Sequence, residues 1–154
     1  MTVIYGKRSQ AAFDTLHENH QKVLLYIKHV LKIDHSVLEG HRGEETQNEY
    51  FHSDPPRTTL QWPNSKHNLL PSLAVDVVPY VRIPGKKGGI HWHDPDPKIR
   101  EAYYREMVRF ATIYQLAGKL VFGFSIRWGG DWDRDWSVMD NRFNDYPHQE
   151  LSEA

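Results

Sequence analysis

Apolar residues, with His20 among them on the same stripe, recur at spacings of three and four from Phe13 through Leu16, Val23, Leu24, Ile27, Val30 and Leu31. That period predicts an amphipathic helix that Ser9 can cap and that runs to about Ile33, with this stripe in the core. A different pattern follows. Ser36 to Gly40 reads as a strand, and Glu44 to Phe51 as a short helix. Ser53-Asp54-Pro55-Pro56 opens a loop that runs to His67. The run LAVDVVPYV is β-branched, short and closed by Pro-Gly punctuation, so Leu73 to Arg82 is expected to be a buried strand. The Gly-rich turn Pro84 to Gly89 suggests a hairpin to a partner at Ile90 to Trp92. Pro97 at a first turn and Gly118 past an end bracket a helix from Pro97 to Ala117, followed by a strand from Leu120 to Trp128. This order predicts an α+β fold, a single domain with a small central antiparallel sheet flanked by helices.

Composition narrows the class. The chain has 154 residues, enough for one core, and a net charge of −1 leaves no electrostatic footprint for nucleic acid. It has no cysteine, which removes disulfides and thiolate metal sites. The N-terminal MTVIYGKRSQ lacks the apolar stretch of a signal peptide, and no segment reaches the roughly 18 apolar residues of a membrane span.

The candidate chemistry begins with Asp76, in the middle of the expected buried strand. A carboxylate there is costly unless it is paired, hydrogen-bonded or metal-bound. His67 lies nine residues earlier across the turn signal Pro71-Ser72, and His148 lies near the other end of the chain. Two histidines and a carboxylate match the three protein ligands of a catalytic zinc site. Asp145 precedes His148 by three residues, with Pro147 bending the segment between them, so it is placed to act as general base on the attacking water. Glu150 shares a strand face with His148 and can orient that ligand from behind or meet a substrate amine. Each residue also has a plain reading: a loop histidine at the surface, a salt-bridged core aspartate, a turn aspartate before proline. The constellation is what points to a metal. A competing cluster, His91-Trp92-His93, puts two imidazoles on one face of a strand, but Asp94 is too close to complete it without a tight turn. The stretch from Gly129 to Asp145 is long for a loop and carries Trp132, Trp136 and five aspartates, which suggests a wall of a substrate groove.

The strings Ser65-Lys66-His67-Asn68, Pro71 to Tyr80, Arg127 to Trp132 and Asp145 to Leu151 resemble the phage-type L-alanyl-D-glutamate endopeptidases. These belong to the zinc D-alanyl-D-alanine carboxypeptidase superfamily, of hedgehog-like fold, together with the vancomycin-resistance carboxypeptidases. The resemblance runs from about Ser9 to Leu151. It implies His67, Asp76 and His148 as zinc ligands and Asp145 as catalytic acid/base. It also implies that Arg42, with Gln47, steadies the scissile carbonyl oxygen, and that Ser65 contacts substrate or fixes its loop. Gln149 departs from the family by replacing an aromatic residue. The His67 to Asp76 spacing is longer than in the compact carboxypeptidases, which favours the phage-type branch.

The expected function is therefore zinc-dependent hydrolysis of peptidoglycan stem peptides at the L-alanyl-D-glutamate bond, by a phage endolysin that lyses its host. A monomer is expected, without a separate wall-binding domain, held in the host cytoplasm until a holin releases it to the wall. The alternatives are a carboxypeptidase that removes terminal D-alanine and a non-catalytic zinc module that binds wall peptide.

Overall fold

Two helices occupy the stretch where one is expected, α1 (Lys7–Phe13) and α2 (Glu18–His29). The computed structural model, which describes residues 3–134 and 145–152, shows why the chain breaks between them. The His17 side chain caps α2 by accepting from the Asn19 amide, and the Thr15 and His17 backbones pair with Ser72 at 2.8 and 2.9 Å. The break thus receives the loop that leads into the central strand. Helix α2 also stops earlier than its periodicity suggests, and Lys32 takes a positive φ. Val30 and Leu31 are exposed, while Val23, Leu24 and Ile27 are fully buried.

Strands β1 (His35–Glu39), β2 (Ala74–Pro79), β3 (Ile126–Trp128) and β4 (His148–Leu151) form one antiparallel sheet in the order β1-β2-β4-β3. Alternation divides its faces. Val37, Val75, Val77, Ile126 and Leu151 enter the core with residues of α1, α2 and α4 (Pro97–Leu116). Each such aliphatic side chain contributes about 1.5–3 kcal/mol by leaving water. The other face carries the polar residues. Asp76 stands opposite His148, and Arg127 stands opposite Glu150. On the β1 side a register shift between Val37 and Glu39 sets Glu39 against Asp76. Helix α3 (Glu44–His52) follows β1 directly and brings Gln47 to this face.

Helix α4 starts as expected, with Asp96 capping and Pro97 in the first turn. Its end does not fall at Gly118. The helix widens into a π-type turn over Ala117–Val121, which takes in Leu120 and Val121 at the start of the expected strand, and Gly123 turns the chain with φ of 76°. Lacking a Cβ, glycine adopts that conformation without strain. Leu120 is left 75% exposed, so the expected strand shrinks to Ile126–Trp128. The hairpin after β2 reduces to one bridge between Val81 and Gly89, and His91 to His93 run into a turn rather than a strand. Of the long stretch before Asp145, residues 135–144, including Trp136, lie outside the described residues. Among the described residues no helix is long and apolar enough to cross a membrane.

Candidate active site

His67, Asp76 and His148 meet on the polar face of the sheet. His67 Nε2 lies 3.2 Å from His148 Nδ1, and each of these nitrogens lies 3.3 Å from Asp76 Oδ1. His148 and Asp76 are brought together by β-pairing. His67 arrives from a short 3₁₀ turn, Lys66–Asn68. Ser65 fixes that turn: its hydroxyl accepts from the His67 amide at 3.2 Å, and its own amide donates to Asn68 Oδ1 at 3.0 Å. These contacts make Ser65 a residue that fixes its loop.

Outer hydrogen bonds select the tautomer of both imidazoles. His67 Nδ1 donates to the Gly40 carbonyl at 2.7 Å, which leaves the Nε2 lone pair facing the triangle. His148 Nε2 donates to Glu150 Oε1 at 3.1 Å, which leaves Nδ1 facing it. This is how ligating histidines are usually oriented, by a carbonyl or carboxylate behind the ring. Glu150 is itself buried, and Lys66 and Arg127 pair with it at 3.2 and 3.1 Å. Neither cation stands out in the sequence. Lys66 is visible only as the neighbour of His67, and Arg127 only through the β3–β4 register.

The charges are tightly linked. Burial opposes ionisation of Asp76, but the nearby imidazoles His67 and His148 overcome it and hold the carboxyl well below the usual range. Burial would also lower His148, yet hydrogen bonds to Asp76 and Glu150 raise its pKa to about 10, so Nδ1 carries a proton that a metal ion must displace before that nitrogen can ligate. Asp145 moves the opposite way: burial and the nearby charge of Asp76 push it up to about 6. It is held by backbone contacts, its amide donating to the Gly129 carbonyl at 2.7 Å while its carbonyl accepts from the His148 amide at 3.1 Å. Gly129 makes this close approach possible, since a Cβ there would sit 2.2 Å from the Asp145 carbonyl oxygen.

Arg42 borders the triangle, with Nη2 4.0 Å from Asp76 Oδ2. Its Nε donates to Glu39 at 2.8 Å, its Nη2 also pairs closely with Glu39, and its Nη1 donates to Gln47 Oε1 at 3.0 Å. Gln47 is fully buried and receives a further bond from Asn68 at 3.0 Å. Glu39, overlooked in the sequence, is thus the main brace of Arg42. On the opposite side the Trp132 ring packs on His148 at 5.4 Å between centroids, with the Arg127 guanidinium above it at 5.1 Å.

Two cavities meet at this point. One, of about 770 Å³, is walled by Trp92, Tyr104 and Tyr146 and reaches Asp76. The other, of about 430 Å³, contains His67, His148, Ser65 and Trp132. Arg42 and Asp145 line both. All nine residues expected at a site therefore gather in one region. The competing histidines do not: His91 packs against Tyr103, and His67, Asp76 and His148 are the one group of three potential metal ligands found among the described residues. Gln149, on the opposite face, is buried with its side-chain oxygen unpartnered, a feature for which its place beside the site offers no explanation.

A sheet that carries a buried ligand triangle, with an acid and a guanidinium at the junction of two cavities, has the makings of a metal-dependent hydrolase. Comparison with known proteins makes this specific. Residues 1–152 match the family described as phage L-alanyl-D-glutamate peptidase, and the chain belongs to that family. It is a peptidoglycan peptidase. Among solved structures, the crystal structure of the L-Ala D-Glu endopeptidase ChiX of Serratia marcescens is similar with a TM-score of 0.60. The two share 22% identity over 97% of this chain and 90% of that one, a likeness of fold. No curated protein matches the sequence.

Proposed function

We propose that this chain is a zinc endopeptidase that cuts the L-alanyl-D-glutamate bond of peptidoglycan stems, acting as a monomeric phage endolysin after holin-mediated release from the host cytoplasm. The observation that carries the reading is the triangle of His67, Asp76 and His148 with both rings oriented by hydrogen bonds behind them. Its edges of 3.2 and 3.3 Å suit the donors of a tetrahedral ion. Bonds of about 2.0–2.1 Å place tetrahedral donors roughly 3.3–3.4 Å apart. A zinc ion held there would supply Lewis acidity and lower the pKa of water towards about 7.

The remaining roles fall to the chain's own side chains. Asp145, ionised above about pH 6, takes a proton from the attacking water and returns it to the departing amine. Arg42, fixed by Glu39 and Gln47, sets positive charge beside the oxygen on which negative charge develops. Glu150 keeps His148 in its ligating tautomer, Ser65 keeps the His67 turn in place, and Trp132 walls the groove. The cut point lies between two open lobes, which suits an internal bond better than a chain end. A non-catalytic zinc module would need neither Asp145 nor Arg42.

The test is digestion of purified peptidoglycan followed by mass spectrometry. The expected product carries a new amino-terminal glutamate, disappears with a chelator and returns with added zinc. Free alanine from the stem terminus would make the protein a carboxypeptidase. No product from folded, zinc-loaded protein would leave only the binding role.

A further inference from the structure

The two lobes share a third residue besides Arg42 and Asp145, namely Arg57. Its position is set locally. The Arg57 amide donates to the Tyr50 carbonyl at 3.0 Å and to the Ser53 hydroxyl at 3.1 Å, which ties the loop after α3 back onto that helix. Its guanidinium stacks on the Tyr50 ring at 3.8 Å, and Arg42 approaches the same ring at 4.8 Å. Such stacking presents a planar fork of donors in a fixed direction, a geometry that suits a carboxylate.

Charge separates Arg57 from the other cations of the site. Arg42 is matched by Glu39, while Lys66 and Arg127 are both matched by Glu150. Among the described residues, Arg57 is the cation lining both lobes that has no carboxylate within ion-pair distance. It is exposed to the groove, so its charge is available to a ligand.

The proposed substrate offers one carboxylate that must come close to the cut. D-Glutamate continues the stem through its γ-carboxyl, and its α-carboxylate stays free on the carbon that bears the scissile nitrogen. We infer that Arg57 is the specificity-determining residue that binds this α-carboxylate, so that the enzyme selects γ-linked D-glutamate over its α-amidated form. The inference rests on the proposed cleavage of the L-alanyl-D-glutamate bond. A neutral amide presents the guanidinium with one acceptor and a donor in place of two charged acceptors, and it loses the bidentate pair.

The experiment compares kcat/KM for two synthetic stem peptides, one with γ-linked D-glutamate and one with γ-linked D-isoglutamine, each cleaved after L-alanine. The wild-type protein is expected to favour the acid by about tenfold or more, the scale of one charge-assisted hydrogen bond. Arg57→Gln should cut the acid more slowly and bring the ratio close to unity, and Arg57→Lys should restore part of the preference. The ratio is internal to each variant, so a loss of folded protein does not move it. A wild type that cuts both peptides equally, or an Arg57→Gln variant that keeps the wild-type ratio, would overturn the inference and leave the cleavage reading standing. Failure of the wild type to cut either peptide after alanine would overturn both.

Discussion

At the scale of single residues, the site is defined by which nitrogen of each histidine is left free. His67 Nδ1 donates to Gly40 and His148 Nε2 donates to Glu150, so His67 Nε2, His148 Nδ1 and Asp76 Oδ1 are the atoms that converge. The sequence contained the ligands but not this selection. Asp76 was legible because a carboxylate inside a β-branched run needs a partner. His67 and His148 were legible mainly through resemblance. Glu39, Lys66 and Arg127 were not, because an ion pair depends on register and side-chain reach, which residue spacing does not encode. One consequence is measurable at Glu150. Replacing Glu150 with Gln removes the carboxylate that orients His148 and strands Lys66 and Arg127 beside a neutral group. Zinc affinity, followed by competition with a chromophoric chelator, should weaken by about 10–100-fold. Unchanged affinity would mean that the His148 tautomer does not depend on Glu150.

At the scale of elements, sheet register does what no local motif can. Pairing of β2 with β4 sets Asp76 opposite His148, and the shift in β1 turns Glu39 towards Arg42. Strand β2 is legible as a short β-branched run closed by proline, and the start of α4 is legible from its cap and its proline. The misread elements share a cause. The turn at Ala117–Val121 is apolar enough to pass for a strand but continues the helix before it. Ile90 to Trp92 has strand-like residues but pairs with no strand, the hairpin's single bridge lying before it between Val81 and Gly89. The α1–α2 break is stabilised by Ser72, more than fifty residues away in sequence, so periodicity alone carries the helix through it. Gly129 shows how an element boundary controls the chemistry. Gly129→Ala would force the new methyl into the Asp145 carbonyl. Overpacking of this kind costs about 1–3 kcal/mol. The urea midpoint should fall accordingly and peptidoglycan hydrolysis should drop with it, whereas a variant with wild-type stability and activity would show that the Asp145 segment shifts freely.

Across the whole molecule, two buried histidines outside the ligand triangle link the fold to pH. His20 donates from Nε2 to the Leu73 carbonyl and accepts from the Tyr114 hydroxyl, and His35 donates from Nδ1 to the Ile33 carbonyl and accepts from the Tyr5 hydroxyl. Burial lowers His20 to about 3 and His35 to about 4, so both stay neutral in the folded chain. The unfolded chain binds these protons near pH 6.5 while the folded one does not. The contribution of these two histidines is therefore complete above about pH 6.5 and declines as pH falls towards 4, by up to about 1.4 kcal/mol per histidine for each pH unit, a loss that the raised Asp145 offsets in part below about pH 6. The carboxylates of Asp76 and Glu150, held low, add their loss only below about pH 4. Urea midpoints measured between pH 7 and 4.5 should fall steadily, with a shallower slope in His20→Gln; equal slopes would remove His20 from the account.

The central claim is that the triangle holds zinc while Asp145 moves the proton, and Asp145→Asn separates these two functions. Zinc content by elemental analysis and release of amino-terminal glutamate from peptidoglycan should be measured on the same preparation. The account predicts stoichiometric zinc with hydrolysis reduced by about 10²–10⁴-fold, the usual contribution of a positioned acid/base. Hydrolysis at the wild-type rate by the zinc-loaded variant would contradict it.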